Sequence, residues 1–140
     1  MSTPAFMTRH PGAGLALLRV VTGIVYLVHG GQKLFVFGFS GVAGGFASMG
    51  APFPGITGPA IGILEFVGGI ALLVGILTRP IALLLAADML GAIVLVHSKG
   101  GFFVPSGIEF VMLLGTAALT LAVAGPGAWA ADDAIARRRP

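Results

Sequence analysis

Five polar side chains recur along one face of the first apolar segment, residues 12–36. Arg19, Thr22, Tyr26, His29 and Lys33 follow one another at intervals of three or four residues. At about 100° per residue, all five fall within an arc of roughly 80° on one helix face. Ionisable groups are costly inside a membrane and by default face the interior of a helix bundle, where they mark function. Imidazole and ammonium groups at these positions suit proton transfer and the binding of ligand oxygen atoms.

Acidic and further basic groups come from three later apolar segments. Glu65 lies near the centre of the second segment, His97 ends the third, and Glu109 lies in the first turn of the fourth. Counted along the helices, His97 and Glu109 fall at about the depth of His29 and Lys33, with Glu65 and Tyr26 just beneath. The sequence therefore predicts one cluster of ligand-binding candidates: Tyr26, His29, Lys33, Glu65, His97 and Glu109.

Asp88, in the middle of the third segment, has a separate predicted partner. Arg19 lies about seven residues in from one side of its segment, and Asp88 lies about eight residues in from the same side. Opposite charges at equal depth predict a buried ion pair, since neither charge is tolerable alone in lipid. His97 lies about 180° from Asp88 on a regular helix, so both face inward only if the helix ends or twists near His97.

The composition places these residues in a membrane protein. The chain has 140 residues, 56% of them hydrophobic and only 9% charged, whereas soluble domains carry about 25% charged residues. We predict an all-α bundle of four transmembrane helices that forms a single domain, with these approximate spans: 12–36, 56–77, 81–97 and 108–124. Residues 1–11 are interpreted as a short leader before an uncleaved first span.

The connecting segments carry further predictions. Residues 37–55 are uncharged and rich in glycine and phenylalanine, which predicts a loop at the interface or one that dips back toward the bundle. Thr78 is placed to cap the third helix. The last residues, 132–139, are predicted to be solvated. The positions of Lys and Arg in the short flanks predict that both termini lie in the cytoplasm.

Glycines in the second span share a helix face with its carboxylate. Gly58, Gly62 and Gly69 lie within about 60° of Glu65, and Gly68 flanks them. Small residues allow close helix packing in lipid, so this face should contact a neighbour and take Glu65 inward. The same faces favour a homo-oligomer.

Several function classes are disfavoured. The chain has no cysteine, which excludes disulfides, thiolate metal sites, iron–sulfur clusters and thiol redox chemistry by its own residues. The net charge of +3 arises from scattered or terminal basic residues, so nucleic acid is not an expected partner. The charges do not repeat as in a pore, and the helices show no inverted repeat, which disfavours a channel or transporter.

The polar cluster is open to several interpretations. It could be a proton-coupled redox or quinone site, or Lys33 could simply pair with Glu65 or Glu109 to hold helices together. His29, His97, Glu65 and Glu109 could ligate a metal, but no His-x3-His or Glu-x2-His spacing supports this, so no metal ligands are assigned. Haem ligation by His29 and His97 is a further alternative.

Six blocks of residues occur together in one known family. They are Leu18-Arg19, Gly23, His29-Gly30 and Lys33-Leu34; Glu65-x2-Gly68-Gly69; Leu72-Leu73-x-Gly75-x2-Thr78-Arg79; His97 with Gly100-Gly101-Phe102; Gly107-x-Glu109-Phe110; and Gly125-Pro126-Gly127. Over about residues 14–133 this pattern resembles the DoxX family of small four-helix membrane proteins.

The resemblance implies an integral protein of the cytoplasmic (inner) membrane. The family takes its name from a subunit of a thiosulfate:quinone oxidoreductase. Other members resemble membrane partners of redox enzymes, including a superoxide dismutase–sulfurtransferase complex, and some are linked to quinone detoxification. The matching positions are candidate quinone or partner contacts: Arg19, His29, Lys33, Glu65, His97 and Glu109.

We therefore expect a quinone-interacting membrane subunit of an oxidoreductase system. In this hypothesis His29 and Glu109 exchange protons, and Lys33 stabilises charge on a quinone oxygen. The alternative is a non-catalytic scaffold or assembly factor that recruits a soluble redox enzyme. The partners expected are the lipid bilayer, such a soluble enzyme and a second copy of the chain.

Overall fold

The computed structural model describes residues 12–138, and all the regular structure in that range is helical. The predicted leader, residues 1–11, lies outside the described residues. In chain order the elements are α1 (Ala13–Gly31), a first π-helical segment (Gln32–Phe37), α2 (Gly38–Ser48), α3 (Pro54–Val74), α4 (Thr78–Ala92), a second π-helical segment (Ile93–His97), α5 (Glu109–Ala124) and α6 (Ala131–Ala136).

The apolar helices have the lengths that a bilayer requires. Three helical stretches, Ala13–Ser48, Pro54–Val74 and Thr78–His97, are long and apolar enough to cross a membrane. The apolar helix α5 is shorter, at 16 residues. Large side chains such as Leu17, Ile56 and Leu113 are exposed on the outer surface, as lipid contact would require. The prediction of an all-α membrane protein is confirmed at this level.

The predicted loop at residues 37–55 is largely helical, which corrects that prediction. Gly38 has a φ of +69°, a left-handed value that changes the chain direction between the π-helical segment and α2. Helix α2 then packs back on α3, where a Cβ added at Gly58 would lie 3.0 Å from Val42 Cγ1. The glycine content suggested a loop, but burial of Val42 against α3 stabilises a helix here.

Helices α1 and α3 run antiparallel at very close range. A Cβ added at Gly30 would lie 2.2 Å from Phe66 N, and one at Gly69 would lie 2.4 Å from Leu27 N. The prediction that the glycine face of α3 packs against a neighbour and carries Glu65 inward is confirmed, since Glu65 is 3% exposed. Because α1 and α2 of the same chain cover this face, it no longer argues for a homo-oligomer.

Arg19 closes one end of the bundle through backbone contacts. Its guanidinium donates hydrogen bonds to the carbonyls of Leu72 (2.9 Å) and Leu73 (3.2 Å) in the last turn of α3. It also donates to the carbonyls of Pro126 (2.8 Å), Ala128 (3.1 Å) and Trp129 (3.4 Å). The last four carbonyls of a helix have no partner within it, so this buried cation caps α3 and fixes the segment after α5.

The predicted Arg19–Asp88 ion pair is therefore wrong. Within residues 12–138, no ion pair of 4 Å or less joins the Arg19 guanidinium to the Asp88 carboxylate. All three guanidinium nitrogens of Arg19 instead donate hydrogen bonds to backbone carbonyls. Equal depth along two helices did not bring the charges together, because free carbonyls at the end of α3 lie closer to the guanidinium.

Asp132 caps helix α4 from outside, which corrects two further predictions. The tail expected to be solvated includes α6, and the Asp132 carboxylate accepts hydrogen bonds from Leu77 N (2.8 Å) and Thr78 N (2.9 Å). Thr78 is the first residue of α4, and its Oγ1 atom has no hydrogen-bond partner among the described residues. A carboxylate at a helix N-terminus is favoured by the helix dipole.

Replacing Arg19 should destabilise the bundle without coupling to Asp88. Since a hydrogen bond to a charged group contributes about 1.5–3 kcal/mol, Arg19→Met should lower the free energy of unfolding by about 3 kcal/mol or more. Detergent-denaturation curves of the purified protein measure this. Arg79→Met, which removes a more exposed guanidinium from the end of α5, should cost less.

The same curves test the corrected contact in a double-mutant cycle. Arg19→Met and Asp88→Asn should have additive effects within about 0.5 kcal/mol, as expected of groups that share no partner. A coupling energy well above that value would restore the Arg19–Asp88 pair and contradict the contacts described here.

The stability of the fold should decrease at acid pH as the Asp132 carboxylate becomes protonated. Partial burial raises the pKa of Asp132, but hydrogen bonds from the Thr78 and Leu77 amides and the charge of Arg19 outweigh it, so the net pKa is lowered. A carboxylate with a lowered folded pKa stabilises the fold above its unfolded pKa of about 3.9, and this stability is lost as the pH falls through the folded pKa. Thermal unfolding in detergent should show Asp132→Asn less stable than the native chain at pH 6. This difference should shrink below about pH 4, and a pH-independent difference would exclude the carboxylate charge as its cause.

Candidate functional site

A cavity of about 660 Å³ lies toward the end of the bundle opposite Arg19. Its walls come from α1, α3, α4 and α5 and from the end of α2. Most lining side chains are apolar, and six are polar: His29, Lys33, Thr57, Glu65, Asp88 and His97. Four of the six predicted ligand-binding candidates thus line one cavity, whereas Tyr26 and Glu109 do not line it.

Lys33 and Glu65 form an ion pair in the cavity wall. Lys33 Nζ contacts Glu65 Oε2, with the lysine side chain 21% exposed and the glutamate side chain 4% exposed. The first π-helical segment carries Lys33, and Gly62 of α3 leaves room for it, since a Cβ added there would lie 3.2 Å from Lys33 Cβ. The sequence analysis allowed Lys33 to pair with Glu65 or with Glu109 as a contact between helices, and the structure contains the pair with Glu65.

Asp88 belongs to this cluster, which the sequence analysis missed. It lines the cavity and lies within electrostatic reach of both Glu65 and Lys33. Its Oδ2 atom is buried and has no hydrogen-bond partner among the described residues. The signal was present in the sequence, since Asp88 is an acidic residue at mid-span, but the depth argument assigned it to Arg19.

The second π-helical segment brings His97 to the same cavity as Asp88. On a regular helix the two side chains would point to opposite faces, but residues 93–97 have the wider π-helical turn and both side chains line the cavity. His97 Nδ1 lies 3.0 Å from the carbonyl oxygen of Ser106, in the loop before α5. The twist that the sequence analysis required near His97 is therefore present.

The remaining predicted contacts divide between the cavity and the helix packing. The His29 ring lies on the cavity wall, with its centroid 5.8 Å from that of Phe110. Tyr26 is fully buried beneath the cluster, where its hydroxyl donates to the Leu85 carbonyl at 3.2 Å. Glu109 Oε1 accepts a hydrogen bond from Val104 N at 2.6 Å and so fixes the loop before α5. Neither Tyr26 nor Glu109 lines the cavity, so their roles as ligand contacts stay predictions.

The cluster is not arranged as a metal site. No group of three or more His, Asp or Glu side chains within residues 12–138 is placed to hold a metal ion. The cavity instead combines one cation, two carboxylates and two imidazoles along otherwise apolar walls. Such a set can bind carbonyl or hydroxyl oxygens and can exchange protons with them.

Comparison with known proteins identifies the family. A DoxX family model matches residues 14–98, from α1 to the end of the second π-helical segment. The chain belongs to the DoxX family. The predicted resemblance is thus confirmed, and His29, Lys33, Glu65, Asp88 and His97 all lie within the matched DoxX region, whereas Glu109 lies outside it.

Three relatives show how far the similarity extends. The chain is 34% identical over 108 residues to "Putative oxidoreductase CatD" of Bacillus subtilis, covering 77% of this chain and 78% of the relative. It is 32% identical to "Inner membrane protein YphA" of Escherichia coli, covering 84% and 87% of the two chains. It is 31% identical to the Mycobacterium tuberculosis membrane protein Rv3486, covering 98% and 90%. No solved structure matches the chain.

These DoxX relatives and the apolar helices agree on where the protein resides. Relatives from Escherichia coli are named as inner membrane proteins, and this chain has several helices that can span a bilayer. The predicted location in the cytoplasmic membrane is confirmed.

The ion pair in the cavity wall generates a stability prediction. Lys33→Met leaves the Glu65 carboxylate buried without its cation, which should lower the free energy of unfolding by about 3–5 kcal/mol. The double variant Lys33→Met with Glu65→Leu removes both charges and should lose less than Lys33→Met alone. Detergent denaturation of both variants measures the difference, and a double variant that is less stable than the single one would contradict a paired role for Lys33.

Proposed function

We propose that this DoxX protein binds a quinone in the cavity lined by α1, α3, α4 and α5 and acts as a membrane subunit of an oxidoreductase system. The observation that carries the proposal is the cavity itself, which joins apolar walls to a polar end containing Lys33, Glu65 and Asp88. A volume of about 660 Å³ lies in the range of small-molecule sites, which is about 300–1,000 Å³. The name of the Bacillus subtilis relative, an oxidoreductase, supports the same class.

The proposal includes four membrane crossings with both termini in the cytoplasm. Helices α1, α3, α4 and α5 alternate in direction, and the 16 residues of α5 can cross a bilayer of about 30 Å if it thins locally. Arg79 and the tail arginines Arg137 and Arg138 lie at the end of the bundle that Arg19 closes, whereas Lys99 lies at the cavity end. This distribution favours a cytoplasmic position for the Arg19 end.

The residues of the cavity fit a quinone. A quinone ring is flat and apolar with two carbonyl oxygens that accept hydrogen bonds, and the cavity offers donors in Lys33 and His29. The buried Asp88 Oδ2 atom has no hydrogen-bond partner within residues 12–138 and can accept a hydrogen bond from a ligand hydroxyl, as in the reduced form of a quinone. When bound, a quinone supplies reversible two-electron, two-proton redox chemistry.

The chain's own residues have separable roles in this proposal. Lys33 places positive charge beside a ligand oxygen, and Glu65 holds the ammonium in place. His29 lies on the cavity wall against Phe110 and can hold or release a proton at a ring nitrogen. Asp88 replaces Glu109 as the acidic group of the site, because Glu109 is bonded to the Val104 amide.

Quinone content of the purified protein tests the proposal. The full chain is purified in mild detergent, extracted with organic solvent and analysed by mass spectrometry, beside His29→Ala and Lys99→Ala. Lys99 is a basic residue at the same end of the bundle that does not line the cavity, so it is the matched control. We expect near-stoichiometric quinone in the native chain and in Lys99→Ala, and much less in His29→Ala.

The opposite result would favour the non-catalytic alternative. Absence of quinone from the native chain, even after reconstitution with quinone-containing lipids, would contradict the proposal. The ion pair would then serve helix packing, and a scaffold that recruits a soluble redox enzyme would be the better assignment.

A further inference from the structure

Helices α3 and α4 form a cleft that is closed at one end and open at the other. Near their short link they touch, since a Cβ added at Gly68 would lie 3.2 Å from Leu85 Cδ1 and 3.3 Å from Ile81 Cγ2. Farther from the link, residues of both helices line the cavity instead of each other, among them Ile61 of α3 and Gly91 of α4. A Cβ added at Gly91 would find no atom within 4 Å. The cavity is therefore the wide end of the α3–α4 cleft.

The cleft opens on the side of the bundle. Leu84, Leu95 and Val96 line the cavity, yet they are 53%, 47% and 40% exposed. Side chains that belong both to a cavity wall and to the outer surface of a helix mark a mouth between the two. Because this surface is the apolar exterior of α4 and of the second π-helical segment, the mouth faces the hydrocarbon region of the bilayer.

The cavity also opens at its water-facing end, where apolar groups line it and Pro52 and Pro105 are exposed. Phe46 and Met49 at the end of α2, Pro52 in the α2–α3 link and Pro105 in the loop before α5 lie there. The polar groups Glu65, Lys33 and Asp88 lie deeper, at the inner end of the cleft. A ligand that reached them from the lipid would therefore pass along apolar side chains before meeting the charges.

We propose that the α3–α4 cleft is a lateral entrance from the bilayer, and that the ligand is a quinone with a long hydrocarbon tail. This inference rests on the proposed function and narrows its substrate class to lipid-soluble quinones. The ring lies against the polar end, and the tail lies along the stripe formed by Ala87 and Gly91 of α4 and Leu95 of the second π-helical segment, and it continues into the lipid.

A side opening is the arrangement that such a ligand requires. Moving a hydrocarbon tail from lipid into water is unfavourable for every CH₂ group, so a long-tailed quinone does not approach through the aqueous phase. Passage between α3 and α4 keeps the tail in an apolar environment throughout. Only the ring has to leave the lipid, and it exchanges hydrocarbon contacts for hydrogen bonds.

The test uses substitutions that narrow the entrance and leave the polar side chains of the cavity unchanged. Gly91→Leu places a side chain in the open part of the cleft, whereas Gly14→Leu is the matched control. Gly14 also lies in a helix with no atom within 4 Å of an added Cβ, and it does not line the cavity. Each full-length protein is reconstituted in phospholipid nanodiscs. Binding is measured with two isotopically labelled ligands, a benzoquinone bearing a decyl chain and the same ring bearing a methyl group.

We expect Gly91→Leu to weaken binding of the decyl quinone about tenfold or more, since overlap with the introduced side chain must be relieved. Binding of the methyl quinone should change less than about twofold by the same measure, and Gly14→Leu should change neither. Ala87→Leu, on the same stripe of α4, should reproduce the effect and covers the case in which Gly91→Leu does not fold.

Other outcomes overturn specific statements. Equal weakening of both ligands, or of neither, by Gly91→Leu and Ala87→Leu would contradict a lateral entrance for the tail while leaving quinone binding intact. Failure of the native chain to bind either quinone would instead overturn the proposed function itself.

Discussion

The buried guanidinium of Arg19 is the contact on which the rest of the bundle depends. It donates hydrogen bonds to carbonyl groups at the end of α3 and holds residues 126–129 against the start of α1. A backbone hydrogen bond of 3.0 Å from Ala128 N to Gly12 O supports the same contact. Gly75, with a φ of +76°, makes room for this arrangement, because an added Cβ would lie 2.4 Å from Arg19 Nη1. Arg79 performs the same task at the end of α5, where it donates to the Ala122 carbonyl at 3.1 Å. One end of the bundle is thus closed by cations bonded to backbone, which allows α3 and α4 to separate at the other end without loss of the fold.

The open end depends on two departures from regular helix geometry. Lys33 lies in one π-helical segment and His97 ends the other, and both segments border the cavity. A π-helical turn changes the rotation of every residue that follows it, so it can turn a side chain toward a site that a regular α-helix would miss. The close contact between α1 and α3 at Gly30 and Gly69 continues directly into the first of these segments, where Lys33 and Leu34 pack on Gly62.

The sequence predicted the helices better than it predicted their contacts. Hydropathy located the apolar segments within a few residues, because lipid requires long apolar helices whatever their neighbours are. It could not show that free carbonyls near Leu72 would bind Arg19, since such acceptors carry no residue signature. Helix α2 was missed for a related reason, because its stability comes from packing on Gly58 rather than from its own glycine-rich sequence. His97 was a partial success, in that the need for a twist was visible although the π-helical form of that twist was not.

The charged side chains in the cavity wall indicate that the cavity is more than a packing defect. Lys33 neutralises Glu65, and Asp88 lies beside that pair with a buried Oδ2 atom that has no hydrogen-bond partner among the described residues. Leaving such an atom without a partner costs about 1–3 kcal/mol, and native structures rarely keep one without a functional reason. An apolar residue at position 88 would remove that cost. In the proposed function that partner is a ligand from outside the chain, and the α3–α4 cleft is its proposed route from the lipid to the Asp88 carboxylate.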